Sequence, residues 1–152
     1  MGKITSGPID LTALLASHPA PSSDGAQLVF TGIVREQNHG RAVTGVSYEA
    51  FAPLAENVFR EIAAEAAKRW VGTGVAIVHR VGRLEVGEVS VAVVVSAPHR
   101  GEAYSASRFA IDELKVRAPI WKQEHYVDGE TEWLPGHELC QHSHSAHSEH
   151  AL

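Results

Sequence analysis

The sequence predicts an α+β protein with mostly antiparallel strands. Runs rich in β-branched and aromatic residues alternate with two long segments of helical period, in the order β-β-α-β-β-α-β-β. With 152 residues and 44% hydrophobic content, the chain is long enough for one ordinary core. We therefore expect a single domain over residues 1–134 with two main helices.

The beginning of the chain predicts a short helix followed by two strands. Asp10 can cap a helix that ends at Pro19, because proline cannot continue helical hydrogen bonding. Residues 25–35 and 43–49 have the composition of strands, and we expect them to pair with each other. The polar residues 36–41 between them predict a loop.

A main core helix is predicted from Pro53, which suits a first helical turn, to the glycines at 72 and 74. Apolar side chains recur at every fourth position and should face the core. They are Leu54, Val58, Ile62, Ala66 and Trp70.

The second half of the chain predicts two strands, a helix and a closing hairpin. The strands are residues 75–81 and 89–96, joined by a turn around 85–88, and the second is apolar enough to be central. Residues 102–117 form an amphipathic helix. The Asp128-Gly129 pair favours the positive φ angles of a tight turn between the last two strands.

From residue 135 the composition changes to His, Ser and Glu with no apolar period, which predicts a disordered tail over residues 135–152. The tail could bind zinc or nickel opportunistically, but it has no scaffold, so we expect no specific metal site. Its ligand-type residues are His137, Cys140, His142, His144, His147 and His150.

Charge and cysteine content exclude several classes of protein. A formal net charge of -5 argues against a general nucleic-acid binder. The first residues lack the apolar core of a signal peptide, and residues 91–95 are too short to span a bilayer. The single cysteine, Cys140, cannot form an intrachain disulfide, so we expect a cytoplasmic protein without membrane association.

Basic side chains cluster where predicted elements end. Lys115 and Arg117 end the second long helix, Lys122 follows shortly after, and Arg35 ends a strand. Cations that lie close together repel one another, which favours binding of an anion between them and lowers the pKa of a lysine. A lysine with a lowered pKa can transfer protons or act as a nucleophile. The alternatives are a solvated arginine and a basic helix end stabilised by the helix dipole.

His99 and Arg100 stand where an apolar strand gives way to that helix, and helix starts attract anions. A capping role for His99 fits the spacing equally well. A continuous helix places His99 roughly 20 Å from Lys115, so one subunit cannot easily hold both in one pocket. We predict that a two-fold dimer brings His99 and Arg100 of one copy to the cationic cluster of the other.

Other positions have both a packing and a binding interpretation. Glu49 and Phe51 could position a lysine and wall a pocket, although packing and capping are favoured. Trp121 is either a flat wall for a ring-shaped ligand or a core anchor. His79 lies in an apolar strand and is expected to be a hydrogen-bonded core histidine.

Short motifs follow one another in a distinctive order between residues 25 and 133. They are Phe30-Thr31-Gly32-Ile33-Val34-Arg35, Tyr48-Glu49-Ala50-Phe51, Val78-His79-Arg80-Val81-Gly82, His99-Arg100 with Glu102-Ala103, and Leu114-Lys115 through Lys122-Gln123-Glu124. Each is weak alone, but in this order and spacing the chain resembles the large, catalytic subunit of molybdopterin synthase.

The resemblance implies an α/β-hammerhead-like fold with a small β subdomain. It also implies a homodimer of large subunits with a small ubiquitin-like sulfur-carrier subunit at each end. The implied reaction transfers sulfur from the thiocarboxylated C-terminus of the small subunit to cyclic pyranopterin monophosphate, forming the dithiolene of molybdopterin without a metal or organic cofactor. Matched by motif, Lys115 and Lys122 would be catalytic, and Arg35, His99, Arg100 and Arg117 would bind or lie near the substrate phosphate.

The main alternative is a non-catalytic module in which the basic cluster binds an acidic partner and the tail gathers metal ions. Phosphate-ester hydrolysis at His99 and Arg100 ranks third, because no nucleophile or acidic metal cluster is evident beside them. The chain departs from the family pattern at Pro98, where a small residue is usual, and in the His-rich tail.

Overall fold

The computed structural model describes residues 1–135. Of the tail predicted over residues 135–152 only Pro135 lies within this range, and it ends the last strand instead of beginning a tail. Within the described part, no helix is both long enough and apolar enough to cross a bilayer. In chain order the elements are β1 (Gly2–Thr5), α1 (Leu11–Ser17), β2 (Ala26–Ile33), β3 (Gln37–Asn38), β4 (Arg41–Ala50), α2 (Ala52–Arg69), β5 (Gly74–Arg80), β6 (Gly82–Glu85), β7 (Val89–Ala97), α3 (Arg100–Arg117), β8 (Ile120–Tyr126) and β9 (Thr131–Pro135).

The first sheet has the strand order β1-β5-β7-β2 and is antiparallel except for the β1–β5 pair. Helices α2 and α3 cover one face with the main core, and α1 covers the other. Along β7, Val93 and Val95 enter the main core, whereas Ala92 and Val94 pack toward α1. Burial on both faces explains the unbroken apolar run of this strand and confirms its central position.

The second sheet has the order β3-β4-β8-β9, with β6 also paired to β4. It carries a small core of its own between the sheet strands and the end of β2. The pairs in this sheet are antiparallel, so the predicted α+β class with mostly antiparallel strands is confirmed. The buried members of this core are Val34, Val43, Val46, Leu84 and Tyr126.

The predicted pairing of residues 25–35 with residues 43–49 is wrong. Strand β2 pairs with β7 along its whole length, and β4 pairs with β8 and β6 in the other sheet. Strand β7 is apolar on both faces and lies inside the sheet, where β5 pairs with one of its edges and β2 with the other. The predicted loop at 36–41 contains β3, and the short strands β1 and β6 were not predicted.

The predicted apolar stripe of α2 is only partly buried. Val58, Ile62 and Ala66 enter the core, but Leu54 is 48% exposed, and Ala55 and Phe59 are buried instead. A spacing of four residues exceeds the 3.6-residue helical turn, so a strict fourth-residue stripe drifts around the helix. The prediction for α1 is confirmed, since the Asp10 carboxylate accepts a 3.0 Å hydrogen bond from the Ala13 N–H.

Candidate active site

A cavity of about 160 Å³ is lined by residues from the end of β2, the β3–β4 hairpin, β8 and the last turn of α3. Three of the predicted site residues line it, namely Arg35, Lys115 and Lys122. A smaller cavity of about 10 Å³ shares Tyr48 and both lysines with the first. The fold therefore brings both predicted catalytic lysines and one predicted phosphate-binding arginine to one place.

Lys122 is held in a buried ion pair. It lies on β8, where every second residue from Ile120 to Tyr126 is buried. Its Nζ donates to Glu124 Oε1 at 3.0 Å, and the two side chains are only 9% and 3% exposed. This pairing balances the charge of Lys122. The lining of the larger cavity also contains the cations Arg35 and Lys115.

Glu124 accepts two further hydrogen bonds. The Asn38 amide donates to Oε1 at 2.6 Å, and the Tyr126 hydroxyl donates to Oε2 at 2.7 Å. Burial raises the pKa of the Glu124 carboxyl, but the donors from Asn38, Tyr126 and Lys122 outweigh burial and leave the pKa below its ordinary value. Glu124 is therefore an ionised acceptor that fixes the Lys122 ammonium.

The sequence predicted no role for Glu124, which is simply the last residue of the Lys122-Gln123-Glu124 motif. A signal was available, because strand residues alternate between faces. Ile120, Lys122, Glu124 and Tyr126 share one face of β8, so a buried lysine there requires a buried partner. The same alternation leaves Trp121 46% exposed, which excludes its interpretation as a core anchor.

His79 lies behind Lys115 in the smaller cavity and is only 1% exposed. Its ring meets Tyr48 edge-on, with centroids 5.0 Å apart. Burial is the main cause that lowers the pKa of the imidazole to about 4; the hydrogen bond to the Arg80 carbonyl opposes this shift, and the charge of Lys115 adds to it. That carbonyl accepts from Nδ1 at 2.8 Å, so the neutral ring is protonated there, and the prediction of a hydrogen-bonded core histidine is confirmed.

Arg35 reaches the site from the segment between β2 and β3 and is exposed. Its Nη2 donates to Asn38 Oδ1 at 3.4 Å. A two-residue turn follows, in which His39 and Gly40 have φ values of 48° and 76°. Positive φ at both positions matches the twist of paired strands, so the turn fixes Asn38 opposite Arg41.

The remaining predicted site residues do not line this cavity. His99 and Arg100 lie at the start of α3, both exposed, and the His99 side chain makes no capping hydrogen bond. Helix α3 is continuous, so Arg100 lies about 22 Å along the axis from Lys115 at the ordinary helical rise. Within the described subunit, the phosphate-binding candidates therefore fall into two separate groups.

Arg117 is engaged with carboxylates of α2 and α3. Its guanidinium contacts Glu65 at 2.7 Å, Glu61 at 3.3 Å and Glu113 at 3.5 Å. The hydrogen bond to Glu65 is the main cause that raises the Arg117 pKa. Arg117 thus links the two helices, and its role in substrate binding stays a prediction.

The Glu124 carboxylate should make stability depend on pH. Folding lowers the pKa of this carboxyl, so the ionised group stabilises the folded state fully above its ordinary pKa of 4.5. This stabilisation is lost as the pH falls through the lower pKa of the folded state. We expect Glu124→Gln to lower the free energy of unfolding by about 1–3 kcal/mol near neutral pH. Urea unfolding across pH should show this difference shrinking below the ordinary pKa.

Glu130→Gln is the matched control, because Glu130 also forms an ion pair, with Arg41, but is 73% exposed. Solvent screens such a pair, so this variant should change stability little at any pH. A Glu124→Gln difference that stays constant from neutral to acidic pH would contradict the assignment of Glu124 as a buried, ionised acceptor.

Comparison with known proteins places these observations in a family. The family model described as "MoaE protein" matches residues 4–117. A molybdopterin synthase catalytic subunit of Nostoc is 45% identical over 132 residues, covering 86% of this chain and 79% of the relative. The same subunit of Bacillus subtilis is 43% identical over 110 residues, covering 72% and 69%.

Solved structures agree with the sequence relatives. The crystal structure of molybdopterin synthase from Staphylococcus aureus matches with a TM-score of 0.82 and 37% identity, over 88% of this chain and 96% of that chain. A complex of subunits 1 and 2 of the molybdopterin-converting factor from Helicobacter pylori matches with a TM-score of 0.71 and 25% identity, over 86% and 88%.

Proposed function

Because this chain belongs to the MoaE family, whose relatives include molybdopterin synthase catalytic subunits, we propose that it is the sulfur-transferring large subunit of such an enzyme. The sulfur donor is the thiocarboxylated C-terminal glycine of a small ubiquitin-like subunit. The acceptor is cyclic pyranopterin monophosphate, which receives the dithiolene sulfurs. A partner of this kind is supported by the two-subunit complex among the structural neighbours.

The observation that carries the proposal is the cationic cavity. Lys115, Lys122 and Arg35 line it, and Glu124 holds Lys122 in place. Sulfur transfer from an acyl donor develops negative charge on the thiocarboxylate, which fixed cations in a partly buried site stabilise more than water does. In this proposal Lys115 transfers a proton or captures the glycine acyl group, and Lys122 orients the donor tail.

The substrate phosphate is bound across two subunits in this proposal. Arg35 supplies a cation from the same subunit as the lysines, and His99 and Arg100 come from a second copy related by two-fold symmetry. The separation of about 22 Å along α3 is the reason for assigning the two groups to different copies. Arg117 is not assigned a contact with the phosphate, because its guanidinium is engaged with Glu61, Glu65 and Glu113.

A non-catalytic protein-binding or metal-handling module is not favoured, because the sequence relatives are catalytic subunits. The ligand-rich tail on which the metal-handling hypothesis depends lies outside the described residues. We place the reaction in the cytoplasm, since the single cysteine, Cys140, favours a reducing compartment.

The function is tested by reconstitution. The purified chain, the thiocarboxylated small subunit and the pterin precursor should together form a dithiolene product, and each component alone should form none. A small subunit that ends in an ordinary carboxylate is the matched control, because it can bind but carries no sulfur. Binding of both small-subunit forms without product from either would overturn the proposal.

A further inference from the structure

Asn38 lies between Arg35 and Glu124 in the lining of the larger cavity and contacts both. It is 8% exposed, with Arg35 on one side and Glu124 on the other. Its amide nitrogen donates to Glu124 Oε1 at 2.6 Å, and its amide oxygen accepts from Arg35 at 3.4 Å. A continuous set of contacts therefore runs from the exposed arginine through Asn38 and Glu124 to Lys122.

A neutral amide satisfies both neighbours without adding a charge to the cluster. An ionised carboxylate accepts hydrogen bonds but cannot donate them, and a guanidinium donates but cannot accept. The side chain between Glu124 and Arg35 must therefore present one donor and one acceptor. Asn38 does this as a neutral group, which leaves the full Glu124 charge available to Lys122.

We propose that Asn38 is a positioning residue that keeps Glu124 an ionised acceptor beside Lys122 and joins this pair to the phosphate-binding Arg35. The inference rests on the proposed sulfur-transfer function for its effect on turnover. The β3–β4 turn helps to position Asn38, because positive φ at His39 and Gly40 sets the strand register that places Asn38 opposite Arg41. Asn38 acts through Glu124 and Lys122 and does not itself react.

Replacing Asn38 by aspartate turns this arrangement into a pH-dependent one. When protonated, the new carboxyl can donate to Glu124 as the amide does. When ionised, it faces Glu124 at hydrogen-bond distance, and two carboxylates that share a site raise the pKa of one of them. The variant should therefore work at low pH and lose activity as pH rises through that raised value.

Other charged and titratable groups around this position also affect the titration. The cations favour ionisation of the new carboxyl, and the acidic groups oppose it. The charged and titratable groups around position 38 are Arg35 beside it, His39 in the turn, Arg41 on β4, Lys115 on α3, Lys122, Glu124 and Tyr126 on β8, and Glu132 on β9.

The experiment compares turnover of Asn38→Asp and the native enzyme across pH with saturating small subunit. We expect the variant to approach native kcat near pH 6 and to fall by about tenfold or more near pH 9, since a disrupted buried acceptor costs about 1–3 kcal/mol. Asn38→Ala, which has neither donor nor acceptor, should lose activity by a similar factor at every pH. Parallel pH profiles for Asn38→Asp and the native enzyme would overturn the proposal.

Asn57→Asp is the matched control, because the Asn57 amide also donates to a glutamate, Glu61, at 3.0 Å but lies exposed on α2. Its pH profile should match the native one, as solvent screens the new charge.

A carboxyl NMR titration of the full chain tests the same inference without turnover. In Asn38→Asp, the new carboxyl and Glu124 should share one proton at neutral pH, whereas Glu124 of the native chain is ionised. Two carboxyls that both ionise at acidic pH would refute the role of Asn38. If the native enzyme itself makes no product, the proposed function fails, and this titration still decides whether Asn38 governs the ionisation of Glu124.

Discussion

Lys115→Ala is expected to abolish dithiolene formation while leaving binding of the small subunit intact. Lys115 lines both cavities, beside Lys122 in each and beside His79 in the smaller one. A positioned acid–base group contributes typically about 10²–10⁴-fold, and loss of a nucleophile costs at least as much. Product formation in a single-turnover assay and calorimetric binding of the small subunit should be measured on one preparation.

Two further variants separate chemistry from charge. Lys115→Arg keeps the positive charge, but guanidinium neither deprotonates near neutral pH nor acts as a nucleophile, so this variant should be almost as inactive as Lys115→Ala. Lys68→Ala removes an exposed lysine from the last turn of α2 and should retain native turnover. Retained turnover in Lys115→Ala, or full activity of Lys115→Arg, would remove proton transfer and acyl capture from the role of Lys115.

Local chemistry could be predicted from the sequence more completely than strand pairing. The capping by Asp10 and the closing hairpin around Asp128-Gly129 depend on residues close in sequence, and both are present. The pairing of β2 with β7 depends on which edge of a doubly buried strand remains open, which only the assembled sheet decides. The same difference between local and long-range determinants explains which site residues could be predicted from the sequence and which could not.

Lys115 and Lys122 were predicted because their basic cluster is visible in the chain itself, and Arg35 because it ends a predicted strand. Asn38 and Glu124 were not assigned roles, since their contact spans 86 positions and depends on the pairing of both β3 and β8 with β4. Residues that position a reactive group need not belong to its motif. The buried ion pair could have been anticipated only by combining strand alternation with the rule that a buried charge requires a partner.

Mixed dimers of Lys115→Ala and Arg100→Ala subunits are expected to regain activity that neither variant has alone. If each site combines Lys115 from one copy with Arg100 from the other, one site of a mixed dimer contains both substitutions and the other contains neither. Random pairing makes about half of the dimers mixed, so the recovered activity should approach about a quarter of the native value. Co-expression with two different affinity tags allows the mixed dimers to be purified and assayed.

Purified mixed dimers should therefore reach about half of native activity, since one site in two is intact. Pairing Lys115→Ala with Lys122→Ala provides the inactive control, because both lysines line the same cavity of one subunit and each site of that mixed dimer carries one substitution. If each site were instead contained in one subunit, both kinds of mixed dimer should be equally inactive. Every site would then carry one substitution, whether Lys115→Ala is combined with Arg100→Ala or with Lys122→Ala. Mixed Lys115→Ala and Arg100→Ala dimers would stay inactive, and the shared phosphate site would have to be abandoned despite the length of α3.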